Sequence, residues 1–316
     1  MKLVIQIPSF NEAKTLPEML DDLPQTLKGV DEIAVLVIDD GSTDDTATVA
    51  KEKGCHVVSH SRNQGLARTF MTGIETALSM GADLIVNTDA DNQYDASCIE
   101  ALVQPILQKE AEMVIGERPI ESIESFSWLK KRLQRIGSRM VAVLSGTQIR
   151  DAPSGFRAFS RKAAEQLNVF NEYTYTLETL IQAGHRNITI TSVPVKVNHV
   201  ERPSRLVKSI SNYIRRSTLT MFHVFLLYSP MKFFFTLGTF FVFLGMIPGI
   251  RFIYYFLTTG GSGKIQSLIF MAVLLVAGLL CYTVGLITDL IAVNRQLLED
   301  IRVQVRRLNS DGDRED

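Results

Sequence analysis

Two long apolar stretches near the C-terminus limit what this chain can fold into. Residues 233–250 and 265–288 contain no charged side chain, and each stretch is long enough to cross a bilayer as a helix. A buried hairpin inside a soluble core is the alternative, which the length and the lack of charge disfavour. We therefore predict membrane helices over residues 231–257 and 265–293, and we expect the residues before them to form a soluble domain.

The polar residues around these stretches predict their topology. The linker over residues 258–264 is rich in glycine and too short for a domain, so the two helices form a hairpin with both ends on one side. Lysine and arginine lie mainly outside the hairpin, with Arg251 and Lys264 on the far side, which places both termini in the cytoplasm by the positive-inside rule. We predict a multi-pass protein of the cell inner (plasma) membrane, and a homo-oligomer formed through the membrane helices.

The segments next to the hairpin have their own patterns. Over residues 206–230, apolar residues alternate with lysine and arginine, which predicts amphipathic juxtamembrane helices whose basic face meets lipid head groups. Residues 294–316 are predicted to form a charged cytoplasmic tail. The polar composition of residues 309–316 predicts disorder beyond Leu308.

Charge is unevenly distributed along the chain. Residues 1–100 carry 7 Lys and Arg against 17 Asp and Glu, whereas residues 101–230 carry 18 against 10. This polarity fits a site with a cation at one end and anionic groups at the other, although a solvated surface explains most charge runs. No nucleic-acid-binding module is recognisable. The three cysteines are widely spaced and predict neither a disulfide framework nor a zinc site.

The soluble part alternates between short β-branched runs and amphipathic helical stretches. Strands are predicted at residues 3–7, 33–38, 56–58, 84–86 and 113–115. A helix with an apolar stripe is predicted after the first, third and fourth strands, and a capped helix near residue 49 is predicted after the second. This alternation is typical of a mostly parallel α/β sheet flanked by helices. Ligands of such sheets bind at the carboxyl ends of the strands.

Two aspartates directly after the fourth predicted strand are the strongest candidates for chemistry. Asp89 and Asp91 follow residues 84–86 and are separated by one residue. Carboxylates on a loop are the hard oxygen ligands that Mg²⁺ or Mn²⁺ prefers, and such ions usually bind together with a substrate phosphate. A solvated acidic turn is the alternative, because aspartate and asparagine favour turns in any case.

The loops after the first two strands lie next to each other in such a sheet. Phe10 follows the first strand, and Asp39 and Asp40 follow the second. We expect the Phe10 ring to lie against a nucleobase while Asp39 accepts a hydrogen bond from a ring N–H. A turn followed by a helix cap at Ser42 also explains the residues after Asp40. Such a cap does not use both aspartates, so it is compatible with nucleotide binding.

The three loops together resemble those of the family 2 glycosyltransferases with the GT-A fold, and within them the polyprenyl-phosphate enzymes similar to dolichyl-phosphate mannose synthase. The first loop resembles P-x-Y-N-E with phenylalanine in place of tyrosine, the second V-x-D-D-G-S, and the run Asp89 to Gln93 resembles D-A-D-x-Q. The resemblance implies a GT-A domain over residues 1–205 and metal ligands at Asp89, Asp91 and Gln93. The nucleotide-binding residues it implies are Pro8, Phe10, Asn11, Glu12, Asp39, Asp40, Asp89 and Ala90.

Later motifs extend the resemblance to about residue 210. The run Asp151 to Arg157 is similar to D-x-x-S-G-F-R. Residues 202–205 are a reduced form of R-x-x-G-x-S-K. This reduced form leaves open whether Arg202 or Arg205 contacts phosphate. The resemblance implies catalytic roles for Asp151, Asp91 and Arg202. The implied phosphate- and acceptor-binding residues are Arg118, Ser154, Arg157, Glu178, Arg202, Ser204 and Arg205.

The resemblance also implies a reaction. One hexose-type sugar is transferred from a nucleotide-diphosphate sugar to undecaprenyl or dolichyl phosphate on the cytoplasmic membrane face. The transfer depends on a metal and inverts the configuration of the sugar, and a UDP-sugar is the preferred donor. A glycolipid synthase acting on a diacylglycerol-type lipid and a non-catalytic nucleotide-sugar-binding scaffold are the alternatives. A processive polysaccharide synthase is disfavoured, because the only tryptophan, Trp128, does not lie in a Q-x-x-R-W motif.

Overall fold

The computed structural model describes residues 1–119, 138, 149, 151–169, 175–198, 219, 222, 226, 230–260 and 265–315. The chain divides into two units, residues 1–215 with 302–316 and residues 216–301. Most of the predicted juxtamembrane segment, residues 206–230, and the predicted site residues Arg202, Ser204 and Arg205 lie outside the described residues.

The first unit contains a seven-stranded sheet. Its strands in chain order are β1 (Lys2–Ser9), β2 (Glu32–Asp39), β3 (His56–Ser59), β4 (Leu84–Asn87), β5 (Met113–Glu117), β6 (Arg157–Ser160) and β7 (Ile190–Pro194). Their order across the sheet is β3-β2-β1-β4-β6-β5-β7. Among the strands that the structure describes, β6 alone pairs antiparallel to its neighbours, so the prediction of a mostly parallel sheet is confirmed.

Six helices of the described residues accompany the sheet. They are α1 (Leu16–Asp21), α2 (Thr46–Glu52), α3 (Leu66–Ser79), α4 (Ile99–Leu107), α5 (Arg161–Gln166) and α6 (Tyr175–His185). The apolar stripes predicted from the sequence are their buried faces, as in α3, where Phe70, Ile74, Ala77 and Leu78 are buried. The central strands β1 and β4 are buried along almost their whole length, as expected for parallel strands covered on both faces.

The second unit contains a helical hairpin. It is formed by α7 (Pro230–Thr259) and by α8 (Ile265–Glu315) up to residue 301, since the rest of α8 groups with the first unit. Two segments of these helices, Pro230–Thr258 and Ile265–Arg295, are long and apolar enough to cross a membrane. Glycines let the helices pack closely: a Cβ on Gly238 would lie 2.9 Å from the carbonyl oxygen of Gly278, and one on Gly245 would lie 3.1 Å from Cβ of Leu274. The predicted hairpin is therefore present as two packed antiparallel helices.

The C-terminal tail differs from the prediction. Disorder was expected beyond Leu308, but α8 continues as one helix of 51 residues to Glu315. The tail contains no proline, and extending an existing helix costs far less than nucleating a new one. The amino-acid composition of the tail alone does not show that the residues before it already form a helix.

Candidate active site

The loops that carry the predicted site residues meet at one edge of the sheet. Ser9 at the end of β1 pairs with Asp39 at the end of β2, and Gln6 in β1 pairs with Asn87 at the end of β4. The loops that follow these strands therefore start side by side. The structure brings together the three motifs that the sequence distributes over more than 80 residues.

Asn11 and Glu12 connect the first two of these loops. The backbone N–H of Asn11 donates to Oγ of Ser42 at 2.9 Å, and its side-chain Oδ1 accepts from the N–H of Thr43 at 2.8 Å. The N–H of Glu12 donates to Oγ1 of Thr46 at 2.9 Å. Both residues were predicted to bind nucleotide, and in the structure these hydrogen bonds hold the two loops together.

Phe10 and Pro8 are placed differently, although they belong to one motif. The Phe10 side chain is 40% exposed at the sheet edge, where a ring can stack on a planar ligand. Pro8 is buried within β1 and pairs with Ile38. Pro8 therefore supports the loop from inside the strand, and its nucleotide contact stays a prediction.

The two aspartates after β2 also separate into two roles. Asp39 accepts the N–H of Ser42 at 3.0 Å, which shapes the turn. The Asp40 carboxylate lies 2.8 Å from Nδ1 of His60 and accepts the N–H groups of Gln64 and Gly65 at 2.8 and 2.9 Å. Asp40, predicted to bind nucleotide, is thus occupied in fixing the loop after β3.

Gly41 shows how tightly this loop is held. Its φ is +70°, and a Cβ there would lie 2.6 Å from the carbonyl carbon of Arg62, so only glycine fits without a shift of the backbone. His60 completes the contact by bridging Asp40 and Oγ1 of Thr72, 3.0 Å from its Nε2. The sequence analysis assigned no role to His60, and its position directly after β3 was the available signal.

Asp89 and Asp91 lie on the loop after β4. Burial raises the pKa of Asp89 to about 7, the Asp91 charge adds to the rise, and Arg118 opposes it. Oδ1 of Asp91 accepts the N–H of Gln93 at 3.1 Å. Two partly buried carboxylates that repel each other fit a divalent cation, because the cation relieves the repulsion.

The described residues supply only part of a metal coordination shell. Among them, no three His, Cys, Asp or Glu side chains form a group that could hold a metal ion. A cation at Asp89 and Asp91 would need further oxygen ligands, such as the Gln93 side chain, water or a bound diphosphate. The carbonyl oxygen of Ala90 is oriented towards Oγ1 of Thr15, at 3.1 Å, which ties this loop to the loop after β1.

Arg118 and Asp151 form a buried ion pair beside this loop. Nε of Arg118 donates to one carboxylate oxygen of Asp151 at 2.8 Å and a terminal guanidinium nitrogen donates to the other at 2.9 Å. The Asp151 side chain is fully buried and that of Arg118 is 10% exposed. The structure therefore brings together a predicted catalytic residue and a predicted phosphate-binding residue, as partners of each other.

Arg157 has a different role from the predicted one. It is fully buried and donates to the carbonyl oxygens of Ala152, Ser154 and Thr176 and to Oγ1 of Thr179, at 2.7 to 2.9 Å. Burial lowers its pKa to about 10. A guanidinium enclosed by protein acceptors cannot reach a substrate phosphate in this arrangement, so Arg157 holds the segment from Ala152 to Gly155 in place.

Ser154 and Glu178 are also inside the protein. Ser154 is fully buried and Glu178 on α6 is 1% exposed. Nε2 of Gln182 lies 3.5 Å from a carboxylate oxygen of Glu178. Both side chains therefore belong to the protein interior next to the Arg157 hydrogen bonds.

A buried polar network joins the two sides of the site. Nδ2 of Asn87 donates to the carbonyl oxygen of Gly155 at 2.8 Å and lies 2.9 Å from the Tyr175 hydroxyl, while Oδ1 accepts from Gln6 at 2.8 Å. A Cβ on Gly155 would lie 3.1 Å from Oδ1 of Asp89. The network thus holds Gly155 next to Asp89. The sequence analysis assigned no role to Asn87 or Tyr175.

Known proteins resemble this chain in sequence and in fold. The model of glycosyl transferase family 2 matches residues 4–167. A UDP-N-acetylglucosamine–dolichyl-phosphate N-acetylglucosaminyltransferase of Methanococcus voltae is 30% identical, over 62% of this chain and 85% of that protein. A polyprenol monophosphomannose synthase of Mycolicibacterium smegmatis is 23% identical, over 68% of this chain and 84% of that protein.

A solved structure shares the fold. Glucosyl-3-phosphoglycerate synthase of Mycobacterium tuberculosis, crystallised with Mn²⁺, uridine diphosphate and glucosyl-3-phosphoglycerate, superposes with a TM-score of 0.53. The alignment is 21% identical and covers 70% of this chain and 79% of that chain. With the family model and the sheet edge described above, this confirms the GT-A fold expected from the resemblance. The chain belongs to glycosyltransferase family 2 and is a glycosyltransferase.

Proposed function

We propose that this glycosyltransferase moves one hexose-type sugar from a nucleotide-diphosphate sugar, with a UDP-sugar preferred, to a polyprenyl phosphate. The acceptor is undecaprenyl or dolichyl phosphate, presented at the cytoplasmic face of the inner membrane. The relatives named for transfer to dolichyl phosphate or polyprenol support this acceptor class. Two apolar helices suited to a membrane support a lipid acceptor.

The observation that carries the proposal is the carboxylate pair beside Arg118. Asp89 and Asp91 lie at the carboxyl edge of the sheet, and Arg118 is close enough to oppose the rise in the Asp89 pKa. We assign Asp89, Asp91 and Gln93 to Mg²⁺ or Mn²⁺, in line with the cation of the structural neighbour. When bound, such an ion supplies Lewis-acid stabilisation of the negative charge that develops on the leaving diphosphate.

The donor side of the site positions the nucleotide. Phe10 offers an exposed ring on which a nucleobase can stack, and we assign Asp39 to accept a base N–H. Asn11 and Glu12 hold the loop of Phe10 against the loop of Asp39 through the hydrogen bonds to Ser42, Thr43 and Thr46. Fixed loops let the donor bind without an ordering cost at each encounter.

The acceptor side has little need of a general base. The second pKa of a phosphate monoester is about 6, so a lipid phosphate already carries a nucleophilic oxygen at neutral pH. Asp151 is held by two hydrogen bonds from Arg118, which suits a positioning role. We therefore propose direct displacement with inversion at C1, with Arg118, Arg202, Ser204 and Arg205 as contacts for the phosphates.

The same ion pair weighs against a glycolipid synthase. A neutral diacylglycerol hydroxyl needs a base to remove its proton, and the buried Asp151 carboxylate is engaged by a permanent cation. A phosphate acceptor makes no such demand. The alternative would regain support if the enzyme glycosylated diacylglycerol faster than polyprenyl phosphate.

Radiolabelled sugar transfer tests the proposal. The full-length protein in detergent is incubated with UDP- or GDP-sugars, undecaprenyl phosphate and Mn²⁺, and label in the lipid phase is counted. We expect transfer that stops in excess chelator and in Asp91→Ala. Asp45→Ala is the matched control, because Asp45 is an exposed aspartate that makes no side-chain cap hydrogen bond, and it should retain activity.

Two outcomes would contradict the proposal. Transfer that persists unchanged in chelator would remove the cation from the mechanism. Absence of transfer from every donor to polyprenyl phosphate, by protein whose thermal unfolding is intact, would remove the acceptor class and favour a nucleotide-sugar-binding scaffold.

A further inference from the structure

Tyr94 is a buried polar residue that the proposed reaction does not use. It directly follows Gln93 in the chain and is 4% exposed. Its ring stacks on Phe156, with ring centroids 4.9 Å apart, and its hydroxyl oxygen accepts the backbone N–H of Gly155 at 3.3 Å. The side chain therefore reaches from the end of the metal loop, residues 89–93, to a segment 61 residues later in the chain.

The backbone at Tyr94 is fixed as well. Tyr94 pairs with Val197 in an antiparallel bridge. The N–H of Asn198 donates to the carbonyl oxygen of Gln93 at 2.8 Å. Because the end of the metal loop is held in this way, the Tyr94 hydroxyl holds Gly155 at a defined distance from the loop.

Gly155 lies between two peptide groups that different residues hold. Its N–H belongs to the peptide group shared with Ser154, and this N–H is the one that Tyr94 binds. Its carbonyl oxygen belongs to the following peptide group and accepts from Nδ2 of Asn87 at 2.8 Å. Asn87 therefore holds the side of Gly155 that leads into β6, whereas Tyr94 holds the side that leads back to Asp151.

Arg157 does not replace the contact with Tyr94. Nε of Arg157 donates at 2.8 Å to the carbonyl oxygen of Ser154, which belongs to the same peptide group as the Gly155 N–H. Arg157 is the first residue of β6, so this hydrogen bond fixes the segment onto the strand that continues it. Tyr94 instead ties the segment to the metal loop.

The Tyr94 hydroxyl shares the electrostatic environment of the proposed site residues. Burial raises the pKa of Tyr94 to about 12, Arg118 opposes the rise, and Asp89 and Asp151 add to it. The phenol therefore keeps its proton at neutral pH and acts as a neutral hydrogen-bonding group. Because charges act strongly only at short range, the hydroxyl lies close to the metal loop and to the ion pair of Arg118 with Asp151.

We propose that Tyr94 is a positioning residue for sugar transfer, and that its hydrogen bond to Gly155 fixes the ion pair of Arg118 with Asp151 relative to the metal loop. This inference rests on the proposed function, because Tyr94 joins the region assigned to the donor diphosphate to the region assigned to the acceptor. Reacting atoms have to be held about 3–3.5 Å apart for rapid reaction. A small displacement of one region from the other therefore lowers the rate without removing a ligand of either substrate.

Tyr94→Phe tests the role of the hydroxyl. The substitution keeps the ring that stacks on Phe156 and the backbone bridge to Val197, and it removes only the acceptor of the Gly155 N–H. Full-length protein in detergent is assayed for transfer to undecaprenyl phosphate with the nucleotide sugar that the wild type uses best. Mn²⁺ binding in the presence of UDP is measured on the same samples, and kcat is expressed per Mn²⁺-binding site, so that partly unfolded protein does not lower it.

Tyr254→Phe is the matched control, because it makes the same substitution at a tyrosine of α7 that is 63% exposed. It should equal the wild type in kcat and in Mn²⁺ affinity. For Tyr94→Phe we expect kcat to fall about tenfold, as for the loss of one hydrogen bond that supports the transition state. The Mn²⁺ affinity should stay unchanged, because Asn87 still holds Gly155 next to Asp89.

The outcomes separate this inference from the proposed function. An unchanged kcat in Tyr94→Phe would overturn the inference and leave the proposed function intact. A fall in kcat with an equal loss of Mn²⁺ affinity would also overturn it, because Tyr94 would then support the metal loop itself. Absence of transfer by the wild type would overturn the proposed function, and this inference with it.

Discussion

In the part of the site that we propose binds the donor, Asp39, Asp40 and Thr46 are buried and bind other loop residues, whereas Phe10 stays 40% exposed. On the acceptor side, Asp151, Arg157, Glu178 and Tyr175 are buried almost completely. Both sides carry residues that match family motifs. The comparison teaches that a motif residue can serve by contacting the ligand or by fixing the segment that does, and that the protein groups it already binds help to separate the two roles.

Arg157 is the strongest test of that separation on the acceptor side. Arg157→Met removes four hydrogen bonds and leaves buried carbonyl oxygens without donors. We expect a loss of about 3–5 kcal/mol in the free energy of unfolding, as for the removal of one member of a buried polar cluster. Chemical denaturation monitored by near-UV circular dichroism measures it.

Lys162→Met is the matched control for Arg157→Met. Lys162 pairs with Glu112 at 2.7 Å, but its side chain is 67% exposed, so we expect a change of about 1 kcal/mol or less. Arg157→Met could instead be as stable as Lys162→Met and lose only its affinity for the lipid phosphate. That result would make Arg157 a ligand contact and would contradict its assignment to fixing the segment.

Tyr175 tests the network that joins the two sides. Tyr175→Phe keeps the ring stacked on Phe70 at 4.0 Å and removes the hydroxyl next to Asn87 and Gly155. We expect a loss of about 1 kcal/mol of stability, with weaker Mn²⁺ binding because Gly155 is no longer held against Asp89. Calorimetric titration of Mn²⁺ in the presence of UDP measures the second effect.

The exposed Tyr254 of α7 supplies the control for Tyr175. Tyr254→Phe should change neither stability nor Mn²⁺ binding. A Tyr175→Phe protein that lost stability but bound Mn²⁺ as tightly as the wild type would show that the network supports the fold without positioning the metal loop.

Phe10 sharpens the comparison from the donor side. Phe10→Leu should weaken UDP binding about fivefold, since stacking of a base on an aromatic ring contributes roughly 1–3 kcal/mol, and should leave thermal unfolding unchanged because the ring is exposed. Phe10→Tyr should bind like the wild type. A large stability loss in Phe10→Leu with unchanged UDP binding would reverse the assignment.

Asp44 gives the smallest effect, and it depends on pH. Hydrogen bonds from Thr46 and from the N–H of Ala13 outweigh the opposing effect of burial and lower the pKa of Asp44 below its ordinary value of 3.8. A lowered folded-state pKa stabilises the protein above the ordinary value and loses that contribution as the pH falls through the folded-state pKa. Asp44→Asn should therefore cost less than about 1 kcal/mol at neutral pH, because the group is exposed.

Thermal unfolding of Asp44→Asn and wild type across acidic pH tests this sign. The difference between the two proteins should shrink as the pH falls below 3.8. A difference that grows towards acid would mean that the carboxylate is not stabilised by these contacts.

The sequence predicted the fold well because its signals were local. β-branched runs and apolar stripes predicted β1 to β5, α1 to α4 and the mostly parallel sheet, and the absence of charge predicted the hairpin, whereas β7, α5 and α6 were not predicted. The continuation of α8 to Glu315 was missed, since composition does not reveal that a helix is already under way. The antiparallel β6 was missed too, because it follows a long segment without a clear pattern.

The candidate site was only partly predictable. Motif spacing located the loops of Phe10, Asp39 and Asp91, but residue type did not reveal that Asp40 and Arg157 bind protein groups. Asn87 was missed because its partners Gly155 and Tyr175 lie 68 and 88 residues away in sequence. Contacts of that separation depend on the assembled sheet, which no local pattern encodes.

Binding of Mn²⁺ tests the central claim most directly. Electron paramagnetic resonance of free Mn²⁺ is followed as metal-free protein is added, with and without UDP, for the wild type, Asp91→Ala and Asp45→Ala. The account predicts that the wild type and Asp45→Ala bind one Mn²⁺ tightly when UDP is present and that Asp91→Ala does not. Equal Mn²⁺ binding by Asp91→Ala and the wild type would contradict the assignment of the cation to this loop.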